Sequence, residues 1–395
     1  MVVPLAARVA AAVIGGLLVV TAWASVTGTL IVSRSVSGRV TRWVDRLIIK
    51  VFGLANARYT DYRRRDRTLA AQAAAILLTQ LATWLVIAFA GFMLLLWPFE
   101  RGGLGSAFAS SGSAMFTLGF AVPVGSVPAA FIFLGAGTGL VIIALQIAYL
   151  PTLYAAFNRR ETEIALLNAR AGVPSWGPEL LARTYYALGT GVSTIDTLPD
   201  LYAQWERWSA DVAESHTTYP VLARFRSPRP LSSWVTALLA VLDSAALFLA
   251  LSPKSVPEVP ARLCLRGGFE CFRRIAQTLG IDLPDEQDPD GGITLTYEEF
   301  LAAVERMRKV SFPIERDPAD AWPDFAGWRV NYERAAYAVA AAVDAPPALW
   351  SGPRGYPVTP IPPFRPPSGG QPSDGRPPAA GPSGSPSPRR RLRPP

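Results

Sequence analysis

Ser110-Ser111-Gly112-Ser113-Ala114-Met115-Phe116-Thr117-Leu118-Gly119-Phe120 is an uncharged, small-residue stretch lying between two long apolar runs, residues 68–98 and 127–157. As a helix, residues 104–117 would reach only ~20 Å at 1.5 Å per residue, whereas a hydrocarbon layer of ~30 Å takes about 20 residues to cross. The stretch is too short to span a bilayer and too apolar for an ordinary solvated loop. It is therefore expected to enter the membrane and leave on the side it came from.

Working outward, half of the residues are hydrophobic and 17% are charged, below the quarter or so typical of soluble domains. Membrane insertion is the expectation. The net charge of +8 is concentrated in residues 33–67, which hold ten Lys/Arg against three Asp. Lys/Arg-rich loops beside membrane spans stay cytoplasmic. A basic stretch wedged between two apolar runs is read as topological, so no nucleic-acid partner is expected. The first run, residues 2–32, carries only Arg8 as a charge. It exceeds a signal-peptide core and has its positive flank after the run, so it reads as an uncleaved membrane helix with its N-terminus outside. Val36, Val40, Trp43, Val44, Leu47, Ile48 and Val51 fall at helical spacing opposite Arg39, Arg42, Arg46 and Lys50. That pattern predicts an amphipathic helix lying on anionic membrane lipid, a packed cytosolic helix being the alternative.

The run at 127–157 contains no charge and stops at Asn158-Arg159-Arg160, which assigns its end to the cytoplasm. The expected topology is a cell-membrane, multi-pass protein with residues 33–67 and the C-terminal region cytoplasmic. The expected fold class is all-α, with five segments: an N-terminal transmembrane helix (1–32), a basic cytosolic loop with an amphipathic helix (33–67), a helix, pore loop and helix (68–157), a cytosolic helical domain (158–347) and a disordered Pro-rich basic tail (348–395). Leu201, Trp205, Trp208 and Val212 recur at helical spacing and head a core list rich in aromatics: Tyr185, Tyr186, Tyr202, Trp234, Phe248, Phe269, Phe272, Phe325, Trp328, Tyr332 and Tyr337. Residues 234–251 are nearly all apolar around Asp243 and read either as a buried core helix or as a fourth membrane helix. The tail has too little apolar surface to offset chain entropy. Its PxxP-like runs make a polyproline-reading protein a candidate partner.

The order helix, half-length insertion ending in Thr117-x-Gly119-Phe120, helix resembles the two-transmembrane, one-pore-loop unit of potassium channels, over residues 68–157. The resemblance implies a pore helix at 104–116 and a filter of Thr117, Leu118, Gly119, Phe120 and Ala121, whose carbonyls replace an ion's hydration shell, with Phe120 packing behind the filter. It implies monovalent cations as the passing species and a homo-tetramer around the pore, because one pore loop cannot enclose one. Two residues depart from the family: Ala121 stands where it has its second filter glycine and Val122 where an acidic residue commonly follows. A left-handed Ala121 would cost about 1 kcal/mol per subunit. Potassium selectivity is less secure than conduction. Gly135, Gly137 and Gly139 lie at the level of a channel hinge, while Gly135-x-x-x-Gly139 is also a close-packing motif. Pro151 is expected to kink the same helix.

No catalytic constellation emerges, and neither an enzyme activity nor a cofactor is expected. His216 is the only histidine and reads as a partly exposed residue after a helix. Cys264 and Cys271 fall two helical turns apart, about 10 Å, too far for a disulfide. Glu286, Asp288 and Asp290 before Gly291 imitate a calcium loop, but the twelfth position is Tyr297 rather than Glu. A second function class remains open beside the channel: a non-conducting membrane-anchored scaffold acting through its cytosolic helices and Pro-rich tail.

Overall fold

Each apolar run forms one long helix in the computed structural model, which describes residues 4–32, 38–186, 194–284, 292–353 and 356–358. The helices are α1 (Leu5–Leu30), α2 (Arg39–Asn56), α3 (Tyr62–Ala70), α4 (Gln72–Leu96), α5 (Gly103–Met115) and α6 (Ser126–Ala171). They continue with α7 (Gly177–Tyr186), α8 (Leu198–Thr218), α9 (Trp234–Leu251), α10 (Glu258–Thr278), α11 (Tyr297–Arg308), α12 (Pro318–Arg329) and α13 (Glu333–Ala342). The fold is all-α, with no strand among the described residues. All of the described residues belong to one compact unit, residues 1–361.

Local chemistry sets the helix starts. Asp61 accepts the Arg63 amide at the head of α3, Ser233 accepts that of Val235 at α9, and Thr296 and Glu299 form a reciprocal capping box at α11. Each satisfies amides that the first turn leaves without a helical partner. α1 and α4 cross at Gly15 and Gly91, where a Cβ on Gly15 would lie 2.6 Å from the Gly91 carbonyl oxygen. Only glycine permits that approach. The contact is fixed further along by Trp84 Nε1, which donates to Ser25 Oγ at 2.9 Å, and by Gln80, which donates to Asp45 of α2 at 2.7 Å.

Around this crossing, Ala22, Val26, Trp84, Ala88, Phe92, Met115 and Ile142 form a small core. The outer faces are apolar as well: Leu17, Val20, Leu78, Val86, Phe133, Leu134 and Ile147 are all exposed. A surface this apolar is out of keeping with water and suits hydrocarbon. By length and composition four helical stretches among the described residues can cross a membrane: Leu5–Leu30, Tyr62–Phe99, Ser126–Ala171 and Trp234–Leu251. α6, at 46 residues, is about 70 Å long, so its C-terminal half runs on as a rod into the next layer.

That layer is a second, larger core. Ile164, Leu167 and Ala171 of α6 join Leu201, Tyr202, Trp205, Trp208, Val212, Trp234, Phe248, Phe272, Phe325 and Tyr332 in it. Phe269, Trp328 and Tyr337 lie at its edge. Tyr185 is partly exposed, 37%, and stacks edge-on against Phe312. α9 is its axis, with 94% of its apolar window buried by the other helices, as the core-helix alternative anticipates. The packed region extends past residue 347, because Trp350 sits against Trp176 and Phe325 and is 6% exposed. The acidic residues Glu286, Asp288 and Asp290, and the tail from 359 on, lie outside the described residues.

His216 corrects an expectation. It lies within the last turn of α8 and is fully buried, because the Arg160 guanidinium and the Trp234 ring close over it. Cys264 and Cys271 are unpaired and buried in α10, where burial pushes both thiols up.

Candidate pore segment

α5 has thirteen residues, Gly103–Met115, and spans about 20 Å, two thirds of a hydrocarbon layer. It is seated between α4 and α6 by its small residues. Ala107, Ser110, Ser111, Ser113, Ala114 and Met115 are buried, while Leu104 and Phe108 face outward. Ser111 Oγ donates to the Phe89 carbonyl of α4 at 3.0 Å. On the approach to α5, the two carboxylate oxygens of Glu100 accept from Ser106 Oγ at 2.5 Å and Ser110 Oγ at 2.6 Å. Those hydroxyls keep Glu100, the only acid in residues 68–160, tied to the helix.

The glycines of α6 divide by role. A Cβ at Gly139 would fall 2.2 Å from the Met115 carbonyl oxygen, and one at Gly135 would touch Phe92 and Ala114 at 3.5–3.6 Å. Gly135 and Gly139 thus form the seat for the end of α5, the close-packing meaning of the motif. Gly137 faces open space. Pro151 lies inside α6, which continues through it unbroken; its missing amide leaves the Ile147 carbonyl without the usual helical donor.

At its C-terminus α5 is closed by a Schellman cap. Thr117 turns left-handed, with φ of 54°, its amide donates to the Ala114 carbonyl at 3.0 Å, and the Leu118 amide donates to the Ser113 carbonyl at 2.9 Å. Gly119 is also left-handed, with φ of 73°. Ser113 then reaches forward, its hydroxyl accepting the Ala121 amide at 3.0 Å. The strain expected at Ala121 is carried by Thr117 instead, because the tight reversal comes at the second residue after the helix rather than the sixth. A threonine there costs about 1 kcal/mol relative to glycine.

Beyond the cap the chain is apolar and uncovered. Phe116, Leu118, Phe120, Val122 and Val124 are exposed by 49, 63, 62, 85 and 84%. Phe120, which the resemblance puts behind the filter, leaves 62% of its surface uncovered within a single chain. The five predicted filter positions, Thr117 to Ala121, are contiguous on this loop, while Gly135 and Gly139 support it from below. Pro151 lies four helical turns from Gly135 and takes no part in the loop.

Among the described residues, two charged clusters beyond the candidate pore segment centre on a fully buried arginine, Arg160 or Arg329, and sequence reading found neither. Arg160, fully buried, donates to the carbonyls of Leu222 and Phe225 at 2.8 Å, to Glu161 at 2.8 Å and to His216 Nε2 at 3.0 Å. The last bond requires a lone pair on Nε2 and hence a neutral ring. Burial, followed by the Arg160 charge, holds the His216 pKa well below 6.5. Arg329 lies in the second cluster, bonded to Asp243, to Glu333 at 2.6 Å, to Tyr337 Oη at 2.9 Å and to the Trp350 carbonyl at 2.8 Å. Only the lone Asp243 within an apolar run hinted at a buried partner.

Among the described residues no three His, Cys, Asp or Glu side chains converge on a metal position. A scan against protein-family models gives no match, and searches of curated proteins and of solved structures likewise give none.

Proposed function

We propose that this chain is a channel-like integral membrane protein that passes monovalent cations through a pore formed by several copies, a homo-tetramer in the arrangement that the potassium-channel resemblance implies. The observation that carries the reading is α5: a half-length helix docked between two spanning-length helices and followed at once by a Thr117-x-Gly119-Phe120 loop with its apolar side chains uncovered. A single copy leaves that loop without a partner, and symmetric copies would supply one. The carboxyl end of α5 carries partial negative charge suited to a cation.

The membrane reading has independent support in α2. Trp43, Leu47, Val51 and Leu54 form an exposed apolar stripe, and Arg42, Arg46 and Lys50 are exposed beside it. That arrangement suits a helix lying in the headgroup layer of an anionic, cytoplasmic leaflet. On this reading α7 to α13 lie in the cytoplasm and the α5 loop at the outer face of the cell membrane.

Reconstituted full-length protein, verified as an oligomer, is expected to pass monovalent cations across liposomes, and Gly119→Asp is expected to change the flux. Open space around Gly119 leaves room for the carboxylate, but a side chain at φ of 73° is itself strained by about 1 kcal/mol, so Gly119→Ala is the control that separates strain from charge. Absence of flux from a verified oligomer would overturn the channel reading. The scaffold reading draws on the Schellman cap, which engages the Ser113 and Ala114 carbonyls with backbone amides and takes them away from an ion. Under that reading, deletion of the cytosolic helices abolishes function and Gly119→Asp is silent.

A further inference from the structure

Between α4, α6 and the segment after the turn at Pro220–Arg224 lies an open groove of about 630 Å³. Ala74 and Leu78 of α4, Ile147, Leu150 and Tyr154 of α6, and Phe225 supply its apolar walls. Its other end is polar, lined by Asp66, Arg67, Arg226 and Ser227. The apolar walls belong to the membrane-length parts of α4 and α6, and the polar end falls where both runs give way to charged sequence.

The polar end has unmet hydrogen-bonding capacity. The Arg226 side chain is nine-tenths buried, with 10% of its surface exposed, and its Nε lies 3.3 Å from Asp66. Its Nη2 has no partner, nor has the hydroxyl of Ser227, nor the amide oxygen of Gln146 further along the groove. The Arg226 N–H and the Ser227 hydroxyl are donors whose unmet state is costly, and an anionic acceptor relieves the cost. Arg67 and Arg226 against Asp66 leave one net positive charge at this end. An apolar channel opening to lipid and ending in a positive, donor-rich pole matches one class of occupant.

We propose that the groove is a binding site for a phospholipid with an anionic headgroup, its acyl chain along Ala74, Leu78, Ile147 and Leu150 and its phosphate at Arg226, Ser227 and Arg67. The site rests on the membrane placement of α4 and α6 and not on conduction. A chain without flux would still hold the lipid.

Full-length protein is purified in mild detergent, exposed to mixed micelles of phosphatidylglycerol and phosphatidylcholine in equal amounts, and examined by native mass spectrometry. Phosphatidylglycerol is expected to be retained about tenfold over phosphatidylcholine: both bring a phosphate to Arg226, but the choline ammonium leaves the second lipid with no net charge to set against the positive end of the groove. Ala74→Trp, at an exposed position on the groove wall, should remove retention of both lipids. Arg226→Gln should erase the preference and leave chain binding. Because Arg226→Gln also breaks the contact with Asp66, the exposed Arg67→Gln serves as the second variant and should reduce the preference in the same direction. Equal retention of the two lipids, or retention unchanged by Ala74→Trp, would overturn the proposal in favour of unspecific boundary lipid. Competition by inorganic phosphate alone would overturn it in favour of a free-anion site, and cross-linking between copies through Ile147→Cys would overturn it in favour of a subunit interface.

Discussion

α4 and α9 have almost the same composition and opposite surroundings. Both are long apolar helices, yet a third of the apolar window in the α3–α4 stretch is buried by the chain, against 94% of that in α9. α9 also carries a charged residue, Asp243, whose charge is met inside the protein by Arg329 and Tyr332. α4 has no charge to meet, and it crosses α1 at the glycine pair Gly15 and Gly91. A helix that is apolar all round must be covered by something. The difference shows that other protein covers α9, whereas α4 leaves most of its surface for a covering that one chain does not provide.

The largest expected effect lies in the buried ion cluster. Asp243→Ala leaves Arg329 without its main counter-charge in a dry core and is expected to cost about 3–5 kcal/mol, seen as loss of the folded C-terminal helices in thermal or denaturant unfolding. Retained stability would mean that water reaches the cluster and that α9 is not enclosed.

The comparison is sharpened by one pair of truncations. Phe248→Ala in α9 is expected to cost about 3–5 kcal/mol, whereas Phe133→Ala in α6, at a side chain 73% exposed, should stay within about 0.5 kcal/mol in detergent. Equal effects would erase the distinction between the two layers. A second pair concerns the seat of α5. Gly139→Leu drives a side chain into the Met115 carbonyl and should destabilise by about 1–3 kcal/mol or more, while Gly137→Leu, facing open space, should be nearly silent. Reversal of that order in melting temperature would show that α5 docks elsewhere.

The smallest effect is a pH dependence. His216 has a folded pKa held below the ordinary 6.5, so on acidification the unfolded chain takes up a proton before the folded one does. The His216 contribution to stability should fall as pH drops below about 6.5, by up to ~1.4 kcal/mol per unit, read as the difference between the unsubstituted chain and His216→Gln at each pH. Glu179, whose carboxyl is held low by Arg306 and Arg183 against the opposing effect of burial, loses its contribution only below the carboxylate range near 4.5. The two windows are separable in melting curves taken from pH 7.5 to 4.

Much of the fold was legible. The apolar runs predicted α1, α4 and α6 to within a few residues, except that α6 continues to Ala171. The short stretch at 104–116 became α5, and the alternating basic and apolar residues became α2. These features depend on periodicity and length, which sequence displays directly. What sequence left hidden depends on contacts made across the chain. His216 is buried because Arg160, fifty-six positions earlier, and Trp234, eighteen positions later, close over it. The left-handed turn sits at Thr117 because Ser113 and Ala114 accept the returning amides. Arg226 gains meaning only beside Asp66, and α9 was ambiguous because lipid and protein cover an apolar helix equally well.

The central claim is that α5 enters the membrane and returns on the side it left. The most direct measurement is labelling of Arg101→Cys and Val122→Cys, in separate chains, by a membrane-impermeant maleimide applied to intact cells, with the unsubstituted chain setting the background of the buried Cys264 and Cys271. Both positions should label from outside, and Thr162→Cys, beyond the apolar part of α6, should not. Labelling of Arg101→Cys and Val122→Cys from opposite sides would contradict the re-entrant arrangement and the pore built on it.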